Sequence, residues 1–238
     1  KTREVQMSLF APQGEETKSI KSGLYVYLIC ELYNGLLKKL EESDALELFN
    51  NIEMPLVEVL ASMQYEGIYI DKQELIDFGK ELKEKLDILT KEIYELAEQE
   101  FNINSTKQLG EVLFEKLKLP IVKKTKTGYS TDSDALEKLR TAHPIIEKVL
   151  EYRQIVKLNS TYVDGLIPYI NEKTNRIHSY FHQTVTATGR ISSTEPNLQN
   201  IPTRFELGRN LRKVFKPQNN QVFIDADYAQ IELRILAD

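Results

Sequence analysis

Apolar residues recur at three- and four-residue spacing through most of the first 170 residues, which predicts that this part of the chain is helical. The spacing predicts one helix from about Gly23 to Leu40 and a second from Asp44 onward. Gly67 can adopt the left-handed conformation that ends a helix, so the second helix is expected to stop there and a short extended link to follow.

The longest predicted helix begins after Asp71, which can cap it together with Glu74 three residues later. Its apolar positions form a nearly heptad seam over about 25 residues, made of Leu75, Phe78, Leu82, Leu86, Leu89, Ile93 and Leu96. Such a seam favours packing against an antiparallel helix of the same chain, and a free coiled coil is the alternative.

Two further helices are predicted on either side of a basic loop. Ser105 can cap a short helix that Pro120 stops, and the loop of residues 123–130 is rich in lysine and hydroxyl groups. Pro144 suits the first turn of the next helix, whose apolar side chains should face inward. Arg153 and Lys157, four residues apart, are predicted to share its outward face.

The pattern changes after about residue 170 from helical to alternating. Residues 175–185 alternate as a strand does, and 222–224 is a short β-branched and aromatic run that predicts a second strand. Residues 230–238 return to helical spacing. The predicted fold class is therefore α+β: a long helical part followed by the first antiparallel strands of a sheet that this chain leaves incomplete.

Composition indicates a globular protein, since 41% of the 238 residues are hydrophobic and 28% are charged. The apolar runs are far shorter than a membrane span and no leader opens the sequence, so a cytoplasmic protein without membrane partners is expected. The single cysteine, Cys30, follows the apolar run LYVYLI, which predicts a buried structural thiol.

The net charge of −5 is unevenly distributed along the chain. Residues 1–100 contain 11 basic and 21 acidic side chains, residues 101–190 contain 14 and 9, and residues 191–238 contain 6 of each. A protein that binds nucleic acid needs positive charge only where it meets the phosphates, so the middle of the chain is the candidate surface. The alternative is that the uneven charge is ordinary solvated surface.

Several short stretches contain residues suited to phosphates, bases or metal ions. Asp227 follows the predicted strand 222–224, and a carboxylate at a strand end is a suitable ligand for Mg²⁺. Arg190 follows Gly189 on a turn, from which its guanidinium could reach acceptors in a minor groove. Asn197 and Gln199 lie in an amide-rich loop between prolines.

The chain resembles the family A DNA polymerases, the DNA polymerase I type. VFIDADYAQIELRILAD (222–238) resembles motif A of that family, TVTATGRISSTEPNLQNIPTR (184–204) resembles the block before it, and GRNLRKVFKP (208–217) joins the two. Weaker likeness extends back through 151–162 and 101–109 to 52–60, and so covers most of the chain.

The resemblance implies a division into three parts. Residues 1–45 correspond to the end of an exonuclease-like domain, 46–170 to the thumb with a basic tip near 123–130, and 171–238 to the first part of the palm with motif A. The fingers and the later palm motif with the second catalytic aspartate are absent, and the sequence stops inside a predicted helix. The chain is therefore expected to be a fragment that does not polymerise by itself.

For the parent protein the resemblance implies template-directed DNA synthesis, in which a nucleotide from a dNTP is transferred to a primer 3′-hydroxyl. Asp227 would be the catalytic residue and would bridge two Mg²⁺ ions, with the backbone carbonyl of Tyr228 completing one site. The second carboxylate ligand would come from the missing part. The nucleotide would be contacted by Arg209 at its triphosphate, by Gln230, and by Glu232, which would exclude a ribose 2′-hydroxyl.

The implied partners are a DNA primer–template and dNTP, bound by a monomer associated with the bacterial nucleoid. The expected DNA contacts are Ser105, Lys107, Lys123, Lys124, Lys126, Arg153, Lys157, Thr186, Arg190, Asn197 and Gln199. Two alternatives stay open: a single-subunit RNA polymerase relative, against which Glu232 argues, and a non-catalytic module that only binds primer–template duplex.

Overall fold

Helices dominate the fold up to residue 170 and short antiparallel strand pairs join them, which confirms the predicted α+β class. The computed structural model describes residues 15–125, 128–203, 206–218 and 220–238. The described residues fall into two compact units, one ending at Ser62 and the other running from Met63 to Asp238. The predicted division into three parts concerns the domains of a polymerase and stays a prediction.

The first unit consists of helices. Helix α1 is Glu15–Glu42, a helical turn (Leu46–Leu48) and a π-helical turn (Phe49–Glu53) follow, and α2 (Met54–Glu66) begins in this unit. The predicted helix 23–40 is thus confirmed and is longer than expected.

The apolar side chains of α1 are spread around the helix, and those from Leu24 to Ile29 are exposed. A helix with apolar side chains on all sides can bury them only when several neighbouring elements surround it, because one packing partner covers a single face. Cys30 is exposed as well, so the prediction of a buried thiol is wrong.

Helix α3 (Lys72–Ala97) is the longest helix of the second unit and begins as predicted. The Asp71 carboxylate accepts a hydrogen bond from the Glu74 N–H at 3.0 Å. Its seam packs against α6 (Pro144–Leu158) and the π-helical turn after it (Asn159–Val163), so the coiled-coil alternative is wrong. Gly79 allows the close approach, because a Cβ there would lie 2.8 Å from Val163 Cγ1.

Two hydrophobic clusters lie along α3. The first includes Leu75, Phe78, Leu82, Leu89, Ile155, Leu158, Tyr162, Ile177 and Leu211. The second includes Ile93, Leu109, Leu113, Leu136, Ile145, Ile146 and Val149. The inward-facing positions predicted for the seam of α3 and for the start of α6 are confirmed, with the seam residues Leu86 and Leu96 only partly buried.

The basic loop is more ordered than its composition predicts. After α4 (Thr106–Gly110) and a π-helical turn (Glu111–Lys116), the strands β2 (Lys124–Thr125) and β3 (Gly128–Tyr129) pair antiparallel, and α5 (Ser133–Glu137) follows. The Tyr129 ring packs on Phe114 with centroids 5.0 Å apart. This apolar contact anchors the hairpin to the second cluster.

The predicted strand at 175–185 forms two short strands with different partners. Strand β1 (Ile68–Tyr69) pairs with β4 (Arg176–Ile177), and β5 (Tyr180–His182) pairs with β6 (Ser192–Thr194), both antiparallel. An isolated bridge joins Ile70 to Phe215 on the other side of β1. Residues 68–70 therefore lie between the chain segments at 175–177 and at 214–216.

The end of the chain differs from prediction in one element. Val222, Phe223 and Ile224 are irregular and are 78%, 58% and 89% exposed, so the prediction of a strand there is wrong. A strand requires a neighbour for its N–H and C=O groups, and none of the described strands pairs with this segment. The predicted last helix is confirmed as α8 (Ile231–Ala237), and α7 (Glu206–Arg212) precedes it.

Among the described helices, none combines the length and the apolar character that crossing a membrane requires.

Candidate nucleic-acid interface

The β2–β3 hairpin is fixed at its base by the carboxylate of Asp132. This group accepts a hydrogen bond from Lys123 Nζ at 2.9 Å, from Ser130 Oγ at 2.8 Å and from the Ala135 N–H at the start of α5 at 2.8 Å. These donors, with Lys123 the strongest, lower the pKa of Asp132 to about 2. The charge of the exposed Lys123 is therefore paired with Asp132, whereas the exposed Lys124 has no ion pair within the described ranges.

Lys126, another predicted DNA contact, lies outside the described residues.

Arg153 reaches from α6 to the connection between the hairpin and α5. Its guanidinium donates to the Thr131 carbonyl and, at 3.1 Å, to Thr131 Oγ1. Burial lowers the pKa of Arg153, which still carries its charge at neutral pH. The predicted outward face is thus wrong for Arg153 and confirmed for Lys157, which is exposed.

A groove of about 840 Å³ runs beside the hairpin between α4 and α6. Its lining includes Asn104, Lys107, Tyr129, Ser130 and Arg153. The Lys107 amino group lies at the edge of ion-pair range from Glu111, at 4.0 Å, and is largely exposed. Glu111, Glu115 and Asp132 line it as well, so the groove has polar walls with charges of both signs.

Ser105 is the N-cap of α4, as predicted. Its hydroxyl oxygen accepts the Gln108 N–H at 3.4 Å, and one hydroxyl proton stays available to another acceptor.

The turn at 186–190 is closed by a hydrogen bond from its own Thr186 side chain. The Thr186 hydroxyl donates to the Arg190 carbonyl, and Gly189 takes a left-handed φ of 74° at which a side chain would be strained. The Arg190 guanidinium is exposed and its Nη2 lies 3.6 Å from Glu232 Oε1. This contact brings the turn next to the first turn of α8.

The amide loop of residues 195–200 has an internal hydrogen-bond network. Asn197 Oδ1 accepts the Gln199 N–H at 3.0 Å, and Gln199 Nε2 donates to the Ile191 carbonyl at 2.9 Å. Both side chains are exposed, so amide N–H groups remain on the surface of the loop.

Asp227 and Tyr228 are exposed in the irregular segment before α8, and no hydrogen bond or ion pair engages the Asp227 carboxylate within the described ranges. Gln230 adopts a left-handed φ of 53° directly before the helix. The Arg234 Nε donates back to the Ala229 carbonyl at 3.0 Å, which stabilises the turn between them.

The residues present offer part of a metal site. Within the described ranges, no group of three or more His, Cys, Asp or Glu side chains is arranged to hold a metal. One exposed carboxylate and a neighbouring backbone carbonyl are hard oxygen donors of the kind that Mg²⁺ binds together with substrate phosphates. The donor set of Asp227 and Tyr228 thus fits a magnesium ion that has further ligands.

Arg209 is exposed on α7, whose start packs closely on Pro202, since a Cβ at Gly208 would lie 2.8 Å from the Pro202 carbonyl oxygen. Among the described contacts, none joins Arg209 to Asp227 or Glu232. The structure therefore brings Arg190 to the region of α8 but does not bring Arg209 there.

The sequence patterns did not indicate four residues that organise this surface: Asp132, Tyr162, Arg176 and Lys216. Asp132 could have been found, because Asp two residues before the acidic Asp134 and a short apolar run is a helix-cap signal. The contacts of the other three join residues more than 35 positions apart, so no local signal marks them.

The comparisons with known proteins agree with one another. The model of DNA polymerase family A matches residues 72–238. DNA polymerase I of Caldicellulosiruptor bescii is 48% identical over 223 residues, which cover 94% of this chain and 26% of that protein. DNA polymerase I of Lactococcus lactis is 53% identical over 202 residues, which cover 85% and 23%. The chain spans about a quarter of the length of these relatives.

A solved structure is similar as well. The POL domain of Pol1 from M. smegmatis, in complex with DNA primer-template and dNTP, matches with a TM-score of 0.79 and 40% sequence identity. The match covers 88% of this chain and 37% of the other.

Proposed function

Because the chain belongs to DNA polymerase family A, we propose that it supplies the thumb and the first part of the palm of a polymerase that extends a DNA primer on a template. The observation that carries the proposal is the structural match, at 40% identity, to a polymerase domain bound to DNA primer-template and dNTP. The family resemblance seen in the sequence is confirmed by the family model.

The proposed division follows the family. Residues 1–45 would end an exonuclease-like domain, 46–170 would form the thumb and 171–238 would begin the palm. The β2–β3 hairpin, with Lys124 exposed at its edge, supports a thumb tip directed at the DNA backbone.

At the proposed active site, Asp227 and the Tyr228 carbonyl would hold Mg²⁺ in a two-ion arrangement whose other carboxylate comes from the rest of the polymerase. When bound, Mg²⁺ lowers the pKa of the primer 3′-hydroxyl and neutralises charge on the pyrophosphate leaving group. The exposure of Asp227 supports this role, because a carboxylate without intramolecular donors keeps its oxygens available.

The residues around Asp227 would bind and select the nucleotide. Glu232, in the first turn of α8, would occupy the space of a ribose 2′-hydroxyl and so favour dNTP. Gln230 would contact the nucleotide, and Arg209 would donate to its triphosphate through a guanidinium fork.

The DNA duplex would lie along the surface formed by the hairpin, the groove and the two loops. Lys107, Lys123, Lys124, Lys126 and Lys157 would meet phosphates, as would Ser105 and Arg153 through the donors that their intramolecular bonds leave. Thr186 would do so by turning its hydroxyl proton from the Arg190 carbonyl to a phosphate. Arg190, Asn197 and Gln199 would donate to minor-groove acceptors, which all four base pairs present.

We expect the full-length protein to act as a monomer in the bacterial cytoplasm, associated with the nucleoid. The bacterial origin of the similar DNA polymerases supports this placement.

The test uses the full-length polymerase with Asp227→Asn, and Asp225→Asn as the matched control two residues away. Asp227→Asn should lower the rate of primer extension by about 10³-fold or more and change the Kd for primer–template less than about twofold. Asp225→Asn should retain most of the rate. A rate that survives Asp227→Asn would contradict the proposal and favour a duplex-binding module.

Glu232→Ala separates DNA from RNA synthesis. In a DNA polymerase this change should increase the use of rNTP relative to dNTP by at least tenfold. An enzyme that prefers rNTP before the change would instead be an RNA polymerase relative.

A further inference from the structure

Tyr162 is the only described residue whose side chain links the segment after α6 to the carbonyl of the amide loop. It lies in the π-helical turn Asn159–Val163 and is only 6% exposed. Its hydroxyl donates to the Asn200 carbonyl. Burial raises the pKa of Tyr162, so the phenol keeps the proton that it donates.

Further contacts hold the amide loop against the first hydrophobic cluster and against Ser193. Leu198 and Ile201 pack against the same hydrophobic cluster that contains Tyr162. The buried Ser193 hydroxyl donates to the Pro196 carbonyl at 3.2 Å and accepts the Leu198 N–H at 3.3 Å. The loop is therefore supported at its start by Ser193 and at its end by Tyr162.

The hydrogen bonds inside the loop fix which way its amides point. Asn197 Oδ1 and Gln199 Nε2 each have a backbone partner, which sets the oxygen and nitrogen of both side chains. Both Nδ2 protons of Asn197 and one Nε2 proton of Gln199 then have no acceptor among the described residues. Donors arranged in this way suit the N3 and O2 acceptors of a minor groove.

We propose that Tyr162 is a positioning residue for the DNA interface: its hydroxyl holds Asn200 and so sets where the Asn197 and Gln199 amides present their donors. Because Tyr162 is buried, it would act through the loop and not through contact with DNA. This inference depends on the proposed function in one respect: the amide loop must face a DNA duplex.

The experiment compares Tyr162→Phe with Tyr94→Phe in the full-length protein. Tyr94 is the matched control, because its hydroxyl also donates to a backbone carbonyl, that of Phe101, at 2.9 Å, next to the other hydrophobic cluster. Both changes remove one oxygen and leave the ring in place. The effect of one such hydrogen bond corresponds to about 2- to 12-fold in an equilibrium constant.

The first readout is amide hydrogen exchange of the free protein. Tyr162→Phe should accelerate exchange at Leu198 and Gln199 by about fivefold, and Tyr94→Phe should leave both unchanged. Unchanged exchange in Tyr162→Phe overturns the inference whether or not the protein binds DNA.

The second readout is the Kd for primer–template in a double-mutant cycle. Tyr162→Phe should weaken binding about fivefold in the wild-type background and less than twofold when Asn197 and Gln199 are both alanine. Equal weakening in both backgrounds, or none in the first, overturns the inference and leaves the proposed function standing. If the two alanines alone leave the Kd unchanged, the proposed interface fails and the inference fails with it.

Discussion

Lys216 Nζ lies 3.0 Å from the Asp71 carboxylate, so the residue that caps α3 is tied to the segment leading towards Asp227. The same amino group lies 2.9 Å from Glu74 Oε2. A backbone hydrogen bond joins the same two segments, because the Asp71 N–H donates to the Val214 carbonyl at 2.8 Å. Arg176 adds a second tie, donating to the Glu66 carbonyl at 2.8 Å and to Gln218 Oε1 at 2.7 Å.

Replacing Lys216 with Met should lower the Tm by about 1–3 °C at neutral pH, because an exposed ion pair contributes little. The pKa of Lys216 is raised by Glu74 and Asp71, and that of Asp71 is lowered mainly by the Glu74 N–H and Lys216. The stabilisation should therefore be constant between the ordinary values of 3.8 and 10.5, and should decline below and above them.

Thermal unfolding from pH 2.5 to 11 measures this effect, with Lys213→Met as the control, since among the described residues the Lys213 amino group donates only to Asn210 Oδ1. The same Tm loss at all pH values would contradict an electrostatic origin.

Replacing Asp132 with Asn should destabilise the hairpin and α5 at neutral pH, because three donors lose a charged acceptor. A lowered pKa means that the contribution is complete above the unfolded value of 3.8 and is lost as pH falls towards 2. The difference in Tm between wild type and variant should accordingly shrink towards zero over that range. Asp134→Asn, in the first turn of the same helix, should show a smaller difference.

Replacing Arg153 with Met should lower the free energy of unfolding by about 2 kcal/mol, because the carbonyl and hydroxyl of the buried Thr131 lose a charged donor. Lys157→Met, one turn along α6, should change it by less than about 0.5 kcal/mol. Urea denaturation measures both. A loss at Arg153 no larger than that at Lys157 would show that the Thr131 contact contributes nothing.

The DNA role predicted for Lys157 can be checked with the same pair of variants. A lysine that neutralises a phosphate contributes about one unit to the slope of log K against log salt. Lys157→Met should therefore reduce that slope by about 1 without changing stability. An unchanged slope would remove Lys157 from the interface.

Replacing Gly67 with Ala should cost about 2–4 kcal/mol, since its φ of 63° is unfavourable for a side chain and a Cβ would lie 2.6 Å from the Ile177 carbonyl oxygen. Gly23→Ala is the control, because a Cβ on that helical glycine meets nothing within 4 Å. It should be neutral or stabilising by up to about 1 kcal/mol. Equal effects in chemical denaturation would contradict the role of the turn.

The helices were predictable because their signals are local. Caps such as Asp71 and Ser105 and the periodic seam of α3 lie within a few residues of the structure that they specify. The short strands were less predictable, because β1 pairs with a segment more than 100 residues away. The spacing of apolar residues in the sequence does not indicate so distant a partner strand.

The sequence could name candidate site residues, which stay predictions, but it could not predict their contacts. Motif likeness indicated Arg190, Asp227 and Glu232, and the structure places Arg190 against Glu232. The helical spacing of Arg153 suggested an outward side chain, whereas the Thr131 carbonyl, brought close by the fold, draws it inward. The direction of a side chain on a helix surface depends on neighbouring segments of the fold, which the periodicity of the helix does not reveal.

The exposed run Val222–Ile224 has a consequence for handling the 238-residue chain. Three consecutive β-branched or aromatic residues with unpaired backbone groups form a template for intermolecular β-pairing. Asp225 and Asp227 follow at once, and charges flanking such a run act as gatekeepers against aggregation. Light scattering should therefore show more self-association when Asp225 and Asp227 are both replaced with Asn, so the acidic residue proposed for catalysis would also keep the chain in solution.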